Sequence, residues 1–329
     1  MTPTEADRAS FRFTSADFRH RDGFAIWREV VGRTVLKLDL EVLQGQPIHS
    51  EASVQMLPGL RLVKATMSGV RMARMRHHLG DSNDHLSLHI CTTGTWALLH
   101  RRQELVLDHD AATLVSNAEA ATVTCSSSTR SVCIEIPRKA LAPFVPTLED
   151  KLMQAVPRDA EALQLLIGYI ATLDTNGVPR APELCSLVAS HIRDLAALVI
   201  GADKNASELA QGPGVRAARL CAIKHDILEN FDHHDLSIIA VAARHAVTPR
   251  FIQRLFESEG TTFSEYLLKQ RLACAHRLLS DPRRRGLTIT AIAFEVGFGD
   301  LPYFNRAFRR RYGATPSDVR SSAKPMREL

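Results

Sequence analysis

Arginine and glutamine side chains recur at helical spacing in the last third of the chain. Arg250, Gln253 and Arg254 are three and four residues apart, which places them on one face of a helix. Guanidinium and amide groups are the side chains that read guanine and adenine edges in the major groove of DNA. A solvated helix face carries similar residues, so a single copy leaves a plain helical hairpin equally open.

The same stripe occurs a second time. Residues 236–266 and 287–319 align with one another, and single-residue insertions fall only where turns are expected. In the second copy Pro302, Asn305 and Arg306 take the places of the first polar stripe. Two matched copies reduce the weight of the plain hairpin and favour a duplicated helix-turn-helix.

Local signals predict where the helices of each copy begin. Thr248 and Asp300 are N-cap candidates for the second helix of their copies. Pro249 suits the first helical position, and Pro302 still lies in a first turn. A further helix over 264–281 is predicted to join the copies.

The glycine-rich stretch Gly297-Phe298-Gly299 raises the alternative of a phosphate-binding loop. No preceding strand, G-x-x-G or G-K-[ST] pattern accompanies it, so we interpret it as the turn of the second copy. Phe304 and Phe308 are then predicted to face the core.

The excess of positive charge is confined to the region that holds the repeat. Residues 215–329 carry 19 Lys and Arg against 12 Asp and Glu, whereas residues 1–214 carry 22 against 24. This asymmetry indicates a polyanionic partner, and the stripes point to double-stranded DNA. Six side chains are expected to contact phosphates: Thr248, Arg283, Arg284, Arg309, Arg310 and Arg311.

Residues 220–322 resemble the DNA-binding domain of the AraC/XylS family of bacterial transcription regulators. The segments IAVAARHAVTPRFIQRLFESEGTTFSEYLLKQRLACAHRLL and ITAIAFEVGFGDLPYFNRAFRRRYGATPSDVR carry the resemblance. It implies helix-turn-helix units at about 236–257 and 287–310 whose recognition helices enter successive major-groove segments of promoter DNA. It also implies seven base-reading residues: Arg250, Gln253, Arg254, Leu301, Pro302, Asn305 and Arg306.

Two positions depart from the family pattern. Ala246 stands in the first turn, where many members carry glycine, so we expect a strained or shifted turn. Leu301 and Pro302 offer no side-chain hydrogen bonds where polar residues are common, although they suit contact with a thymine methyl group. We therefore expect the second unit to be the weaker reader.

The first two hundred residues are predicted to form a regulatory domain, which makes the chain an α+β protein. A helix at 19–33 precedes short strands over about 35–137, including 85–91, 104–107, 112–115 and 131–137, and helices follow over about 147–200. Residues 201–214, which end in Gly-Pro-Gly, are expected to link this domain to residues 215–329. The resemblance implies a cupin-like β-barrel that binds a small organic effector, with a helical dimerisation segment.

Candidate effector contacts lie in or beside the predicted strands. His85 and His89 are four residues apart and share a strand face, and Trp96 follows them. Such residues are more often ordinary barrel interior. His191 lies in the apolar stripe of a helix at 182–202 and is predicted to be a buried, hydrogen-bonded histidine.

An enzyme is the rival class, as a metal-dependent cupin fused to a helical domain. Its candidate ligands are His77, His78, Asp81, His85 and His89. His77 and His78 are adjacent and would face opposite sides of a strand, and no spaced His-x-His with a following Glu is present. Residues 124–131 lack a paired base, so we expect no catalytic residue, metal or cofactor. RNA binding is disfavoured because interleaved stacking aromatics are missing.

The remaining composition favours the cytoplasm. No run of 18 apolar residues occurs, the N-terminus lacks the pattern of a signal peptide, and six scattered cysteines suit free thiols in a reducing compartment. We expect a homodimeric transcription regulator without a membrane partner that also contacts RNA polymerase. The effector, the operator and the choice between activation and repression stay open.

Overall fold

The computed structural model describes residues 10–14, 28–29, 32, 37–46, 48–177, 179, 181–201, 212–284 and 286–322. Two compact units divide the chain, Met1–Ala218 and Arg219–Leu329. The expected helix at 19–33 and the linker at 201–214 lie mostly outside the described residues. Within the described part of the chain, no helix has the length and apolarity needed to cross a bilayer.

Eleven described strands form the N-terminal unit. They are β1 Ser10–Thr14, β2 Asp39–Val42, β3 His49–Leu57, β4 Leu60–Ser68, β5 Val70–Arg74, β6 Leu86–Thr93, β7 Trp96–His100, β8 Gln103–Leu107, β9 Ala111–Ser116, β10 Ala121–Cys125 and β11 Thr129–Ile136. One sheet has the order β1-β3-β4-β11-β6-β9 and the other β2-β5-β10-β7-β8, with antiparallel pairing. The strands expected at 85–91, 104–107, 112–115 and 131–137 are confirmed as β6, β8, β9 and β11.

The two sheets share an apolar core because alternate residues of each strand point inward. Met67 and Cys91 of the six-stranded sheet pack with Trp96, Leu98 and Cys125 of the five-stranded sheet. This double-sheeted barrel confirms the cupin-like fold expected for the region. All six cysteines lie in the described part of the chain, and none of them forms a disulfide there.

Four helices complete the described N-terminal unit: α1 Arg138–Leu141, α2 Leu148–Lys151, α3 Glu161–Asn176 and α4 Pro182–Ile200. The apolar stripe of α4 is partly buried in the N-terminal unit and partly exposed to solvent. Val188 and Leu195 are buried, whereas Leu184 and Leu187 are 50% and 48% exposed. His191 is buried, and its Nδ1 lies 2.9 Å from the Tyr169 hydroxyl of α3, as expected for a hydrogen-bonded core histidine.

Seven further helices were found beyond residue 212 in the described part of the chain: α5 Pro213–Asn230, α6 Ile238–Arg244, α7 Pro249–Glu257, α8 Phe263–Ser280, α9 Ile289–Glu295, α10 Leu301–Tyr312 and α11 Pro316–Ser322. Pro213 and Gly214 lie in the first turn of α5 and not in a linker. A Cβ added at Gly214 would lie 3.0 Å from the carbonyl oxygen of His191, so this glycine permits close packing on α4.

Two apolar cores lie in the C-terminal unit, one under each helix-turn-helix. The first surrounds Ile252 and Phe256, and the second surrounds Phe304 and Phe308. Helix α8 contributes Phe263 and Leu267 to the first core, and its later turns contribute Leu272, Ala275 and Leu279 to the second. One continuous helix therefore supports both halves.

Candidate DNA-binding surface and N-terminal cavity

Helix α7 presents the first expected base-reading stripe. The Thr248 hydroxyl oxygen accepts the Phe251 backbone N–H at 3.2 Å, which confirms Thr248 as the N-cap. Ile252, Leu255 and Phe256 are buried, so the helix is fixed by its apolar face. The opposite face leaves Arg250, Gln253 and Arg254 exposed side by side.

Helix α10 repeats this arrangement with different side chains. The Asp300 carboxylate accepts the Tyr303 backbone N–H at 2.6 Å, so the second N-cap is also confirmed. Phe304 and Phe308 are buried, as expected.

The exposed face of α10 carries Pro302, Asn305 and Arg306. Leu301 differs from the expectation because it is half-buried against the second core. Leu301 therefore stabilises the start of the helix by packing. Pro302, which is exposed, is the better candidate for contact with a thymine methyl group.

The arginines expected to contact phosphates form two groups. Arg309, Arg310 and Arg311 are exposed in the last turn of α10. Arg283 and Arg284 lie in a 3₁₀ turn at Pro282–Arg284, where the Arg284 Nη1 is 3.7 Å from a Glu295 carboxylate oxygen. Arg285 lies outside the described residues.

The turns of the two helix-turn-helix units use the same backbone region with different neighbours. Ala246 has a φ of +50° and Gly297 a φ of +88°. A left-handed residue with a Cβ costs roughly 1–2 kcal/mol, which confirms the strain expected at Ala246. Ala246 is exposed, whereas Gly297 is buried against the loop that follows α5.

Sequence reasoning missed two residues near this surface. The Tyr303 side chain is 45% exposed beside the second stripe and was not considered as part of it. Arg271, in the middle of α8, donates hydrogen bonds to backbone carbonyls instead of facing solvent. No spacing signal separates Arg271 from an ordinary exposed arginine, so only the tertiary structure identifies it.

The N-terminal unit contains a partly open cavity of about 1180 Å³. Its walls are mostly apolar, and Val63, Met72, Leu98 and Val123 are among the lining residues. Large, mainly apolar cavities with a few polar groups are typical of small-molecule sites. The Pro182 end of α4 also lines the cavity.

Polar side chains of β6, and of the residue that precedes it, line this cavity at alternate positions. His85, Ser87 and His89 all line it, which confirms that His85 and His89 share a face. The Ser87 hydroxyl donates to the Asn117 side-chain oxygen at 2.8 Å. Ser87 was missed because serine is common on any strand, although its place between the two histidines follows from the period of two.

Trp96 lies next to the cavity and does not line it. The ring is 3% exposed and packs in the core between the sheets. Its centroid is 5.4 Å from that of His89, with the rings edge to face. Trp96 therefore supports His89 from the floor of the cavity.

Burial makes His89 a neutral polar group. Desolvation, with a smaller contribution from nearby His100, lowers the pKa of His89 to about 4. Burial likewise raises the pKa of the Cys133 thiol, which also lines the cavity, to about 12. Neither group carries a charge near neutral pH.

The charged side chains that line the cavity are paired with one another or with near neighbours. Arg61 forms an ion pair with Glu135, and the Arg74 Nη2 lies 2.7 Å from the Asp81 carboxylate. The Arg74 Nε–H also donates to the Asn117 backbone oxygen at 2.7 Å. The interior therefore favours hydrogen-bonding ligand groups over a net ligand charge.

Comparison with known proteins supplies the family. A model described as an AraC-binding-like domain matches residues 27–200, which is more than half of the chain, and one described as a helix-turn-helix domain matches residues 241–322. The chain belongs to the AraC/XylS family of transcription regulators.

Named relatives and one solved structure agree with this membership. The chain is similar to the transcriptional activator RhrA of Rhizobium meliloti (strain 1021), with 35% identity over 61% of this chain and 62% of RhrA. It is also similar to the transcriptional activator NphR of Rhodococcus sp., with 25% identity over 57% of this chain and 55% of NphR. The matched region thus spans about three fifths or less of each relative. The crystal structure of the AraC-like transcriptional activator CuxR matches with a TM-score of 0.50 at 18% identity, over 80% of this chain and 94% of that one, which shows the fold.

Two of the histidines considered as ligands for the rival enzyme do not lie in a strand. His77 and His78 lie in a 3₁₀ turn at Arg76–Asp81, and both approach Asp39. Among the described residues, Asp39, His77 and His78 are the group whose ligand atoms converge within 4.8 Å. The Met75 backbone N–H donates to His78 Nδ1 at 3.1 Å, which leaves the proton on Nε2 in the neutral ring. The protonated Nε2 lies 3.9 Å from the nearer Asp39 carboxylate oxygen and offers no lone pair to a metal. His85 and His89 lie in the cavity instead, so the five proposed ligands do not come together.

Proposed function

We propose that the protein is a sequence-specific DNA-binding transcription regulator. The observation that carries this proposal is the pair of matched helices, α7 and α10, with capped N-termini, buried apolar faces and exposed polar stripes. The similarity to RhrA and NphR, both transcriptional activators, supports activation as the outcome. Residues 215–329 hold the excess of basic side chains that a phosphate backbone attracts.

Selection of binding sites from random duplexes by the full chain tests the proposal. Enrichment of a site with two conserved segments about one helical turn apart is the expected result. Recovery of sequences without a common motif would refute sequence-specific recognition.

Two arginine variants separate base reading from phosphate contact. Arg254→Ala is expected to cost about 1–3 kcal/mol at the selected site and to relax base preference in one segment. Arg310→Ala is expected to weaken binding to all duplexes alike and to reduce the salt dependence by roughly one counterion. Equal losses on selected and random DNA for both variants would contradict these roles. Leu301, Pro302, Asn305 and Arg306 remain the proposed readers of the second segment.

The barrel cavity is the proposed effector site. Its apolar walls and neutral polar groups fit a small organic molecule with an apolar body and a few hydroxyl or carbonyl groups. His85 and His89 are the proposed hydrogen-bonding partners, and Trp96 holds His89 in place. A thermal-shift screen of small organic compounds on the full chain tests this site.

A cavity-filling variant provides the control for that screen. Ala65 lines the cavity, and Ala65→Phe is expected to abolish the thermal shift while DNA binding without effector persists. A compound that shifts both proteins equally binds elsewhere.

Two protein partners complete the proposal. Leu184 and Leu187 are exposed apolar side chains on α4 and are the proposed contacts of a homodimer. Leu187→Glu should separate the homodimer into monomers and thereby lower the sedimentation coefficient.

RNA polymerase is the proposed second partner, and transcription in vitro from a promoter that carries the selected site measures activation directly.

A further inference from the structure

The loop after α5 meets two segments from other parts of the C-terminal unit. The Arg271 Nε–H of α8 donates to the Phe231 carbonyl oxygen at 2.7 Å, and its Nη2–H donates to the His233 carbonyl oxygen at 2.7 Å. The planar guanidinium thus holds two carbonyls of one loop at once, which a lysine ammonium on a flexible stem does not reproduce.

The turn of the second helix-turn-helix packs on the same loop. A Cβ added at Gly297 would lie 2.6 Å from the Phe231 carbonyl oxygen, 2.8 Å from that of Asp232 and 2.9 Å from Arg271 Nε. Real Cβ atoms do not approach other atoms so closely, so this contact exists only because residue 297 has no side chain. The loop, Arg271 and Gly297 thereby form one joint, which we call the 231–271–297 joint.

The joint lies between the two apolar cores. The Phe231 side chain packs against both cores, one under each helix-turn-helix. Ala246, which aligns with Gly297, is exposed. The contact therefore belongs to the second turn alone, and it connects the second helix-turn-helix to the loop that precedes the first.

We propose that Arg271 and Gly297 are positioning residues that fix α10 relative to α7, so that the protein accepts a single spacing between the two DNA segments it reads. This inference rests on the proposed DNA-binding function. One added base pair moves the second segment by about 3.4 Å and by roughly a tenth of a turn, which a fixed pair of helices does not follow.

The test uses the full chain, the selected site, the same site with one base pair inserted between the segments, and the site with its second segment scrambled. The wild-type protein is expected to lose roughly 30-fold in affinity on insertion, equivalent to about 2 kcal/mol. Arg271→Ala is expected to bind the selected site about tenfold more weakly and to lose less than about threefold on insertion. Binding to the scrambled site should stay within about twofold of wild type, since the first helix-turn-helix still reads its segment.

Further variants protect the test against a loss of folding. Arg271→Lys keeps the charge and the helix, and it should lower the loss of affinity on insertion, as Arg271→Ala does. Gly297→Ala should do so as well, because the added Cβ separates the turn from the loop. Arg277→Ala, an exposed arginine on the same helix, should keep the wild-type penalty.

Folded Arg271→Lys or Gly297→Ala proteins with a wild-type insertion penalty would overturn the proposal. An equal loss on all three duplexes would also overturn it, because a general structural role predicts that result. If the wild-type protein selects no two-segment site, the proposed function itself fails, which is a separate outcome.

Discussion

Protonation of His89 should destabilise the N-terminal barrel as the pH falls. His89 is neutral in the folded barrel because burial lowers its pKa to about 4, whereas an unfolded histidine has a pKa near 6.5. Between these values the unfolded chain binds more protons than the folded one, so the free energy of unfolding falls with falling pH. The contribution is fully present above about pH 6.5 and lost by about pH 4.

The size of the effect follows from the difference between the two pKa values. Each pKa unit corresponds to 1.36 kcal/mol, so the shift is worth up to about 3 kcal/mol. Because His89 faces the cavity and is not fully enclosed by protein, we expect about 2–3 kcal/mol.

Urea unfolding at several pH values, followed by tryptophan fluorescence, measures this contribution. Both tryptophans of the chain precede residue 218, so the signal reports the N-terminal unit. The difference in unfolding free energy between wild type and His89→Gln should change by about 2–3 kcal/mol from pH 7 to pH 4. His85→Gln, which alters a histidine that lines the same cavity, is the matched control variant. Parallel profiles for wild type and His89→Gln would refute the reasoning.

Three further predictions concern stability and are checked by chemical denaturation. Gly297→Ala should lower the unfolding free energy by about 2–4 kcal/mol, because left-handed strain adds to a forced displacement of the loop. Ala246→Gly, at an exposed turn, should change the unfolding free energy by less than about 1 kcal/mol. Equal effects of the two substitutions would contradict the role of the Gly297 contact. Asp300→Ala removes the N-cap of α10 and should cost about 1 kcal/mol, and no loss would mean that the cap is replaced by water. Tyr169→Phe leaves the His191 Nδ1 buried without its partner and should cost about 1–3 kcal/mol, so a neutral result would indicate that the hydrogen bond contributes no net stability.

The helices of the C-terminal unit were predictable because their signals are local. Thr248 and Asp300 each indicate from a single position where α7 and α10 begin, and each caps the N-terminus of its helix as expected. Periodicity also identified Phe304 and Phe308 as core residues. The joining helix was expected at 264–281 and lies at Phe263–Ser280. Duplication strengthened the assignments of the two capped helices, since the same signal appeared twice.

The N-terminal cavity was less predictable because its walls come from strands far apart in sequence. The period of two placed His85 and His89 on one face of a strand. It did not distinguish side chains that line a cavity from side chains that are packed in the core. Trp96 illustrates the difference, since it points inward and is covered by the core. The sequence also gave no sign that the side chains of His77 and His78 lie together. A 3₁₀ turn brings these adjacent side chains to one side, whereas a strand would place them on opposite sides.

Gly297 shows how a tertiary contact can be hidden behind a local rule. Glycine in a turn is usually explained by its freedom to adopt positive φ, and that rule predicted strain at Ala246. Ala246 nevertheless adopts positive φ in the first turn, so the turn geometry alone does not require glycine. What requires it at residue 297 is the approach of two loop carbonyls and the Arg271 guanidinium, all within 3 Å of the missing Cβ. If turn geometry were the only constraint, alanine at residue 297 would cost what alanine costs at residue 246 and would leave the spacing between the DNA segments unchanged.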